Sequence, residues 1–311
     1  MKNKPTQVAV LMGGPSAERE VSLRSGAAVA EALAQTGAKV SAVVVEGYDF
    51  ALPRGTEVVF IALHGTFGED GTVQRLLEER RVPYTFSGPE ASAKAFDKIL
   101  AKEEFRAAGI PTPAWAVIER RRREFVPLQK LRWPVVVKPA RQGSSVGVAI
   151  VREPRELKQA CVAAGRYDDR LLAEEFVAAR ELTVGILDER ALPVIEVKPK
   201  QEFFTYEAKY QAGQTEYLVP APLADEVRAR VQAVALQAHQ CLGCRDLSRV
   251  DVMLAENGEL FVLEVNTVPG FTATSLVPKA AKADGIAFAR LCGHLVKNAL
   301  ARQPQPAAAV A

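Results

Sequence analysis

The pair Asn257-Gly258 constrains this chain more than any other feature, because Asn-Gly between two apolar runs is the strongest short-range signal for a β-hairpin. The flanking runs are Arg249-Val250-Asp251-Val252-Met253-Leu254 and Leu260-Phe261-Val262-Leu263-Glu264-Val265-Asn266. A two-residue loop sets Asp251 opposite Glu264 and Arg249 opposite Asn266, all on one face. The other face then carries Val250, Val252 and Leu254 against Val265, Leu263 and Phe261, and is core. Carboxylates placed directly opposite each other repel, at a cost of roughly 0.2 to 1 kcal/mol or more. A divalent cation between them is the natural remedy. The alternative is a solvated polar face on an edge hairpin; Asn266 and Arg249 on the same face argue for the metal site. An oxygen-only set of Asp251, Glu264 and Asn266 suits Mg2+, which keeps waters and takes phosphate oxygens as further ligands, and does not suit zinc.

At 311 residues the chain exceeds one ordinary core, so two or three subdomains are expected. A formal charge of +3 is small for this length, and the basic run Arg120 to Arg123 is flanked by Glu119 and Glu124 with no interleaved aromatics. That run reads as a solvated loop or helix face, and nucleic-acid binding is not expected. The few apolar residues between Pro5 and Gly13-Gly14 are too short for a signal peptide or a membrane span, so a cytoplasmic protein without membrane contact is expected. Cys161, Cys241, Cys244 and Cys292 include one C-x-x-C but no second pair or nearby His, and read as reduced thiols. Of the scattered histidines, His239 falls in a helical run from Val227 to Leu242 and His294 has no evident partner. Only His64 ends a strand.

From Val8 to Gly88, apolar runs (Val8 to Met12, Val40 to Val45, Val58 to Leu63) alternate with helical stretches (Glu20 to Thr36, Val73 to Arg80). This is the pattern of parallel βαβ units, a doubly wound α/β domain. Ligands bind such sheets at the carboxyl ends of the strands. The loops there carry Glu18 and His64, candidates for substrate contact; a helix N-terminal charge or a loop hydrogen bond is the plainer alternative for each. A helix is expected from about Lys94 to Ala108, a break at Gly109 to Pro113, and a strand-rich region through Val151. Strands Glu181 to Leu187 and Leu192 to Lys198 open a third region, followed by a polar, aromatic stretch from Lys200 to Tyr217. The expected divisions are residues 1–95, 96–180 and 181–311, with a tail from Arg302 that has nothing to pack and frays.

Val135-Val136-Val137-Lys138-Pro139 reads as a buried strand, followed by Arg141-Gln142-Gly143-Ser144-Ser145-Val146-Gly147 and another strand to Val151. The glycines let backbone N–H groups approach an anion, so the loop can fold over a triphosphate with Lys138 beneath it. It is not a P-loop, because the Lys precedes the glycines and no helix follows. A plain hairpin is one alternative. The same residues also satisfy G-x-S-x-G with Ser145 as a hydrolase nucleophile, but that elbow requires a strand-to-helix turn. In Leu171 to Val177, a crossing strand can read an adenine edge, and Glu181 can accept a ribose hydroxyl.

The Lys at a strand end, the Gly/Ser flap, the Glu174-Glu175 strand and the hairpin with Glu264-x-Asn266 together resemble the ATP-grasp fold. Gly13-Gly14-x-Ser16-Ala17-Glu18-x-Glu20-Val21-Ser22, Leu63-His64-Gly65, Gly143-Ser144-Ser145-Val146-Gly147, Glu207-Ala208-Lys209-Tyr210 and Asn266-Thr267-x-Pro269-Gly270-Phe271-Thr272-x-Thr274-Ser275 closely resemble the D-alanine:D-alanine ligase family. These motifs run from Val8 to about Lys279. The resemblance implies a doubly wound N-terminal domain followed by a two-subdomain ATP-grasp fold of α+β character. It implies a cytoplasmic enzyme, usually homodimeric, that phosphorylates one D-alanine with ATP and lets the amine of a second attack the acyl phosphate, for peptidoglycan synthesis. Lys98, Lys138, Ser145, Glu174, Glu175, Phe176, Val177 and Glu181 would bind the nucleotide. Asp251, Glu264 and Asn266 would hold two Mg2+ or Mn2+ ions, with Glu264 bridging. Arg249 and the Gly270 N–H would form the oxyanion site, and Glu18 would hold the first substrate's ammonium in a group with Ser144 and Tyr210. Ser275, Leu276 and Lys209 would contact the second substrate, and His64 would support the first. Tyr210 favours an amide over an ester product. Gln142, Glu175 and Val268 depart from the common pattern, and none of them is an expected metal ligand.

Overall fold

The computed structural model describes residues 5–119, 128, 130–144, 146–199 and 215–302. The chain opens with β1 (Gln7–Gly13), α1 (Arg19–Gln35), β2 (Lys39–Val45), β3 (Val58–Ile61) and α2 (Thr72–Glu79). The strands form a parallel sheet in the order β2-β1-β3. Val8 to Leu11 and Val58 to Ile61 are almost wholly buried, as expected of strands covered on both faces.

The single helix expected from Lys94 is two, α3 (Pro89–Phe96) and α4 (Lys98–Ala107). They break at Asp97, whose backbone is extended and whose carboxylate accepts the N–H groups of Ile99 at 3.0 Å and Leu100 at 3.3 Å. That cap restarts the helix with Lys98 in its first turn.

Next come β4 (Trp115–Glu119), β5 (Val135–Pro139), β6 (Ala149–Val151), α5 (Leu157–Ala164) and β7 (Arg170–Glu175), whose strands form an antiparallel sheet ordered β4-β7-β5-β6. A third sheet takes β8 (Ala179–Leu187), β9 (Arg190–Ala191), β10 (Ile195–Pro199) and β11 (Thr215–Leu218). After α6 (Asp225–Cys241) it is completed by β12 (Leu247–Ala255) and β13 (Leu260–Asn266), in the order β11-β10-β8-β12-β13 with β9 beside β8. The chain then forms α7 (Leu276–Ala283) and α8 (Phe288–Ala301), and α8 returns to pack on α1 and β3. Leu291, Cys292, Leu295 and Val296 of α8 thus join the core of the N-terminal sheet.

The β12-β13 hairpin corrects the expected turn while keeping the expected register at the polar end. Its loop holds Glu256, Asn257 and Gly258, with the Ala255 N–H donating to the Glu259 carbonyl at 2.9 Å and Gly258 at φ 82. Near the loop, Val252 faces Val262 and Leu254 faces Leu260. A bulge after Asp251 then restores Asp251 to Glu264, Val250 to Val265 and Arg249 to Asn266. One extra residue in the turn is cancelled by one extra residue in the bulge. The core face is therefore Leu260, Val262 and Val265, and Leu263 and Phe261 are not on it. The bulge puts Leu263 on the same side as Glu264, where both line a cavity.

The four cysteines are free thiols, and burial pushes Cys241 up to about 11 and Cys244 and Cys292 to about 12. Among the described residues no helix is long and apolar enough to cross a membrane. The basic run 120–123 and the tail 303–311 lie outside the described residues.

Candidate active site

Two cavities adjoin where the three sheets meet. The larger, about 430 Å³, is lined by Glu18, His64, Ser144, Arg249, Asn266, Gly270, Ser275 and Leu276 among others. The smaller, about 180 Å³, is lined by Lys98, Lys138, Glu174, Glu175, Phe176 and Val177. Glu181, Asp251 and Glu264 line both. Every candidate site residue named from the sequence lines one of these two cavities, except Ser145, Lys209 and Tyr210, which lie outside the described residues.

At the junction, β12 runs between β8 and β13, so Asp251 is 8% exposed and no longer on a solvated edge. Thr183, its neighbour on β8, donates to Asp251 Oδ1 at 2.6 Å. The Arg249 guanidinium clasps the same carboxylate through Nε at 3.0 Å and a terminal nitrogen at 2.8 Å. The Lys98 ammonium stands 3.2 Å from Glu264 Oε2 and donates to the Gln142 carbonyl at 2.7 Å. The repulsion read from the register is thus offset here by two protein cations. Among the described residues no three His, Cys, Asp or Glu side chains converge to hold a metal. Asn266 turns its amide nitrogen to the two carboxylates, donating to Asp251 Oδ2 at 3.4 Å and to Glu264 Oε1 at 3.5 Å. With the amide reversed, its oxygen and the two carboxylates would form a hard, incomplete donor set, which fits Mg2+ sharing its ligands with phosphate and water.

The flap lies over the larger cavity. Ser144 Oγ donates to a Glu18 carboxylate oxygen, and Ser144 adopts φ 52, a left-handed conformation that costs a serine strain. At Gly143 a Cβ would stand 2.7 Å from Glu18 Oε2, so a side chain there would push the Glu18 carboxylate aside. The following element is β6, paired antiparallel with β5, and no helix follows the loop. The strand-to-helix turn needed for a hydrolase elbow is absent.

His64 is buried, with Nδ1 donating to the Val268 carbonyl at 3.0 Å and Nε2 3.0 Å from Ser25 Oγ. Ser25 Oγ in turn accepts the Phe271 N–H at 3.2 Å. Glu69 Oε1 stands 3.7 Å from His64 Nδ1. Burial opposes a charge on His64, but Glu69, with Glu18 adding, holds its pKa above the ordinary imidazole value. Burial, with Glu18 adding, pushes Glu69 up against the opposing pull of His64. The pair therefore retains a proton readily. Ser275 precedes α7 with extended backbone, and its Oγ accepts the Thr272 N–H at 3.0 Å. The first free N–H groups of α7 beside it are suited to a carboxylate.

In the smaller cavity, Glu174 of β7 sits between two lysines. One carboxylate oxygen accepts from Lys138 and the other lies 3.0 Å from Lys102 Nζ. Burial would raise the Glu174 pKa, yet the two lysines hold it below the usual carboxylate range. Glu175 is taken by Arg132, whose backbone N–H and guanidinium donate to it at 2.9 to 3.1 Å. Lys102, Glu69 and Ser25 are missed by sequence reasoning. The available signal for Lys102 is its i, i+4 spacing from Lys98 on one helix; Glu69 shares the short His64 loop.

Two family models match the chain: "D-ala D-ala ligase C-terminus" over residues 105–297 and "D-ala D-ala ligase N-terminus" over residues 46–87. A D-alanine--D-alanine ligase of Methylacidiphilum infernorum is 47% identical over 294 residues, covering 94% of this chain and 95% of that protein. One from Syntrophotalea carbinolica is 47% identical over 300 residues, covering 96% and 97%. Among solved structures, the Bacillus anthracis D-alanine--D-alanine ligase complexed with ATP superposes with TM-score 0.84 at 31% identity, covering 95% of this chain and 97% of that one. An Enterococcus faecalis D-Ala:D-Ser ligase superposes with TM-score 0.84 at 28% identity, covering 95% and 100%. With near-complete coverage by relatives well above 30% identity, and the expected motifs gathered on two adjoining cavities, the chain belongs to the D-alanine–D-alanine ligase family.

Proposed function

We propose that this protein joins two molecules of D-alanine into D-alanyl-D-alanine with ATP, releasing ADP and phosphate, as a supplier of peptidoglycan precursor. The observation that carries the reading is the junction: two cavities of unlike character share Asp251 and Glu264, where a phosphoryl group would pass from one to the other. The nucleotide occupies the smaller cavity, with its base among Glu174, Phe176 and Val177, its ribose at Glu181, and its phosphates at Lys98, Lys138 and the flap residues Ser144 and Ser145.

The first D-alanine is held by its ammonium at Glu18, supported by His64, with its carboxylate directed to the junction. Its carboxylate oxygen attacks the γ-phosphorus, and ADP leaves with the bridging oxygen. The amine of the second D-alanine, whose carboxylate is held at Ser275, Leu276 and Lys209, then attacks the acyl carbon. Arg249 and the Gly270 N–H neutralise the tetrahedral oxyanion, which collapses to the amide and expels phosphate. Asp251, Glu264 and Asn266 would hold Mg2+, which would supply charge neutralisation at the transferring phosphoryl group. Tyr210, grouped with Glu18 and Ser144, closes the flap and selects amine over hydroxy-acid acceptors. The protein acts as a cytoplasmic homodimer without nucleic-acid partners, divided into residues 1–95 for the first substrate, 96–180 with the flap, and 181–311 with the metal site and the second substrate.

The test is ADP release by the pure protein with ATP and Mg2+, with D-alanine, with L-alanine, or with neither. Release that requires D-alanine is expected; release indifferent to it contradicts the ligase.

A further inference from the structure

Lys102 lies on α4 one turn beyond Lys98 and is 0% exposed. Besides standing 3.0 Å from Glu174 Oε2, its ammonium donates to Thr112 Oγ1 at 2.5 Å and to the Pro113 carbonyl at 3.4 Å. Thr112 donates onward to the Val262 carbonyl at 2.8 Å. One buried cation thus links α4, β7 and β13 behind the smaller cavity, without lining it. Burying an ammonium is costly, and an apolar side chain of similar volume would fill the space at lower cost. What the ammonium adds is a counter-charge for Glu174 at neutral pH, with burial pulling the Lys102 pKa down to about 8.

That counter-charge matters because of what Glu174 faces. Glu174 lines the smaller cavity beside Val136, Val177, Met253 and Leu263, apolar surfaces suited to a flat base, with its Oε2 buried against Lys102 and its Oε1 accepting from Lys138. An ionised carboxylate only accepts hydrogen bonds, whereas a protonated one also donates. Lys138, the other partner of Glu174, lines the cavity and is assigned above to the phosphates, whereas Lys102 stands outside the lining with Glu174, Thr112 and Pro113 as its partners.

We propose that Lys102 is a positioning residue for nucleotide selection. From behind the cavity it keeps the Glu174 carboxylate ionised and in one orientation, so that the purine edge meets a pure acceptor and a 6-amino purine is taken over a 6-oxo purine. This rests on the ATP-dependent reading above and adds to it a residue that never touches the nucleotide. The 6-amino group of adenine donates to such an acceptor; the 6-oxo group of hypoxanthine meets it oxygen to oxygen.

The experiment measures kcat and KM for ATP and for inosine triphosphate at saturating D-alanine, in wild type, Lys102→Met, Glu174→Gln and the double variant, with circular dichroism to establish folding. Lys102→Met is expected to raise the KM for ATP at least about tenfold with kcat within about threefold, and to lower the ATP-over-inosine preference in kcat/KM at least about tenfold. The double variant is expected to match Glu174→Gln, because Lys102 acts through Glu174. Should Lys102→Met not fold, the double variant, which removes both buried charges together, carries the comparison. A preference matching Glu174→Gln supports the proposal, and a further tenfold loss overturns it. A folded Lys102→Met with wild-type purine preference overturns the role of Lys102 while leaving the ligase reading intact. A wild type that turns over no ATP overturns that reading, and this inference with it.

Discussion

Glu264 carries the densest set of demands in the molecule. It faces Asp251 across the hairpin, pairs with Lys98 at 3.2 Å and lines both cavities. Glu264→Gln removes one of two facing carboxylates, so the fold is expected to persist. Turnover is expected to fall at least about a hundredfold, because neutralisation of the transferring phosphoryl is lost. Steady-state ADP release titrated with Mg2+ checks this, and near-normal turnover at ordinary Mg2+ would remove Glu264 from the site. At this scale much was legible in the sequence. Asp251, Glu264, Asn266 and Arg249 follow from strand alternation alone, whereas Glu18, Gly270 and Ser275 come from the family motifs. Lys102 was not legible, because a lysine on an amphipathic helix reads as solvated until the tertiary structure closes β7 over it. Glu69 was hidden for a similar reason: its pairing with His64 depends on loop geometry that no periodicity reports.

Among the elements, the β12-β13 hairpin is the instructive case. Asn257-Gly258 announces the hairpin but not its loop length, and the three-residue loop and the bulge after Asp251 are two departures that cancel at the polar end. The cancellation leaves a trace in composition: Leu263 and Val262 are both apolar, so nothing in the pattern tells which one enters the core. The split of the expected helix at Asp97 was readable as an N-cap before Lys98, but the helical composition on both sides masked it. On α6, His239 is 2% exposed, with Nδ1 2.7 Å from Ser248 Oγ, and burial lowers its pKa from 6.5 to about 4. A depressed folded-state value means that the unfolded chain binds the proton first. Stability is therefore whole above about pH 6.5 and drains as the pH falls toward 4. Between pH 7 and pH 5 the loss from this residue is expected to be about 2 kcal/mol. Urea unfolding at both pH values checks it, with His239→Gln expected to flatten the difference; an equal slope in both proteins would contradict it.

For the molecule as a whole, the last described helix packs on the first sheet. α8 completes the core that β1 and β3 begin, and Arg302 donates to Asp246 and to the Tyr84 carbonyl, fastening the end of α8 to the first and third regions. Leu295 is 0% exposed in that core, so Leu295→Ala is expected to cost about 2 to 5 kcal/mol in urea unfolding. A change below about 1 kcal/mol would deny α8 this packing role. The sequence reading placed α8 with the last region, since chain order says nothing of which sheet a terminal helix rejoins. The parallel βαβ start was legible because periodicity reports local order directly, whereas the two ATP-grasp sheets were implied by the resemblance of the motifs to the family. Whether phosphoryl transfer to a D-alanine carboxylate precedes amide formation at the Asp251–Glu264 junction is read out by isotope transfer. With ATP, Mg2+ and D-alanine carrying 18O at both carboxylate oxygens, D-alanyl-D-alanine and ADP are expected in equal amounts, with one 18O in each phosphate released. Phosphate free of 18O, or ADP without dipeptide, would contradict it.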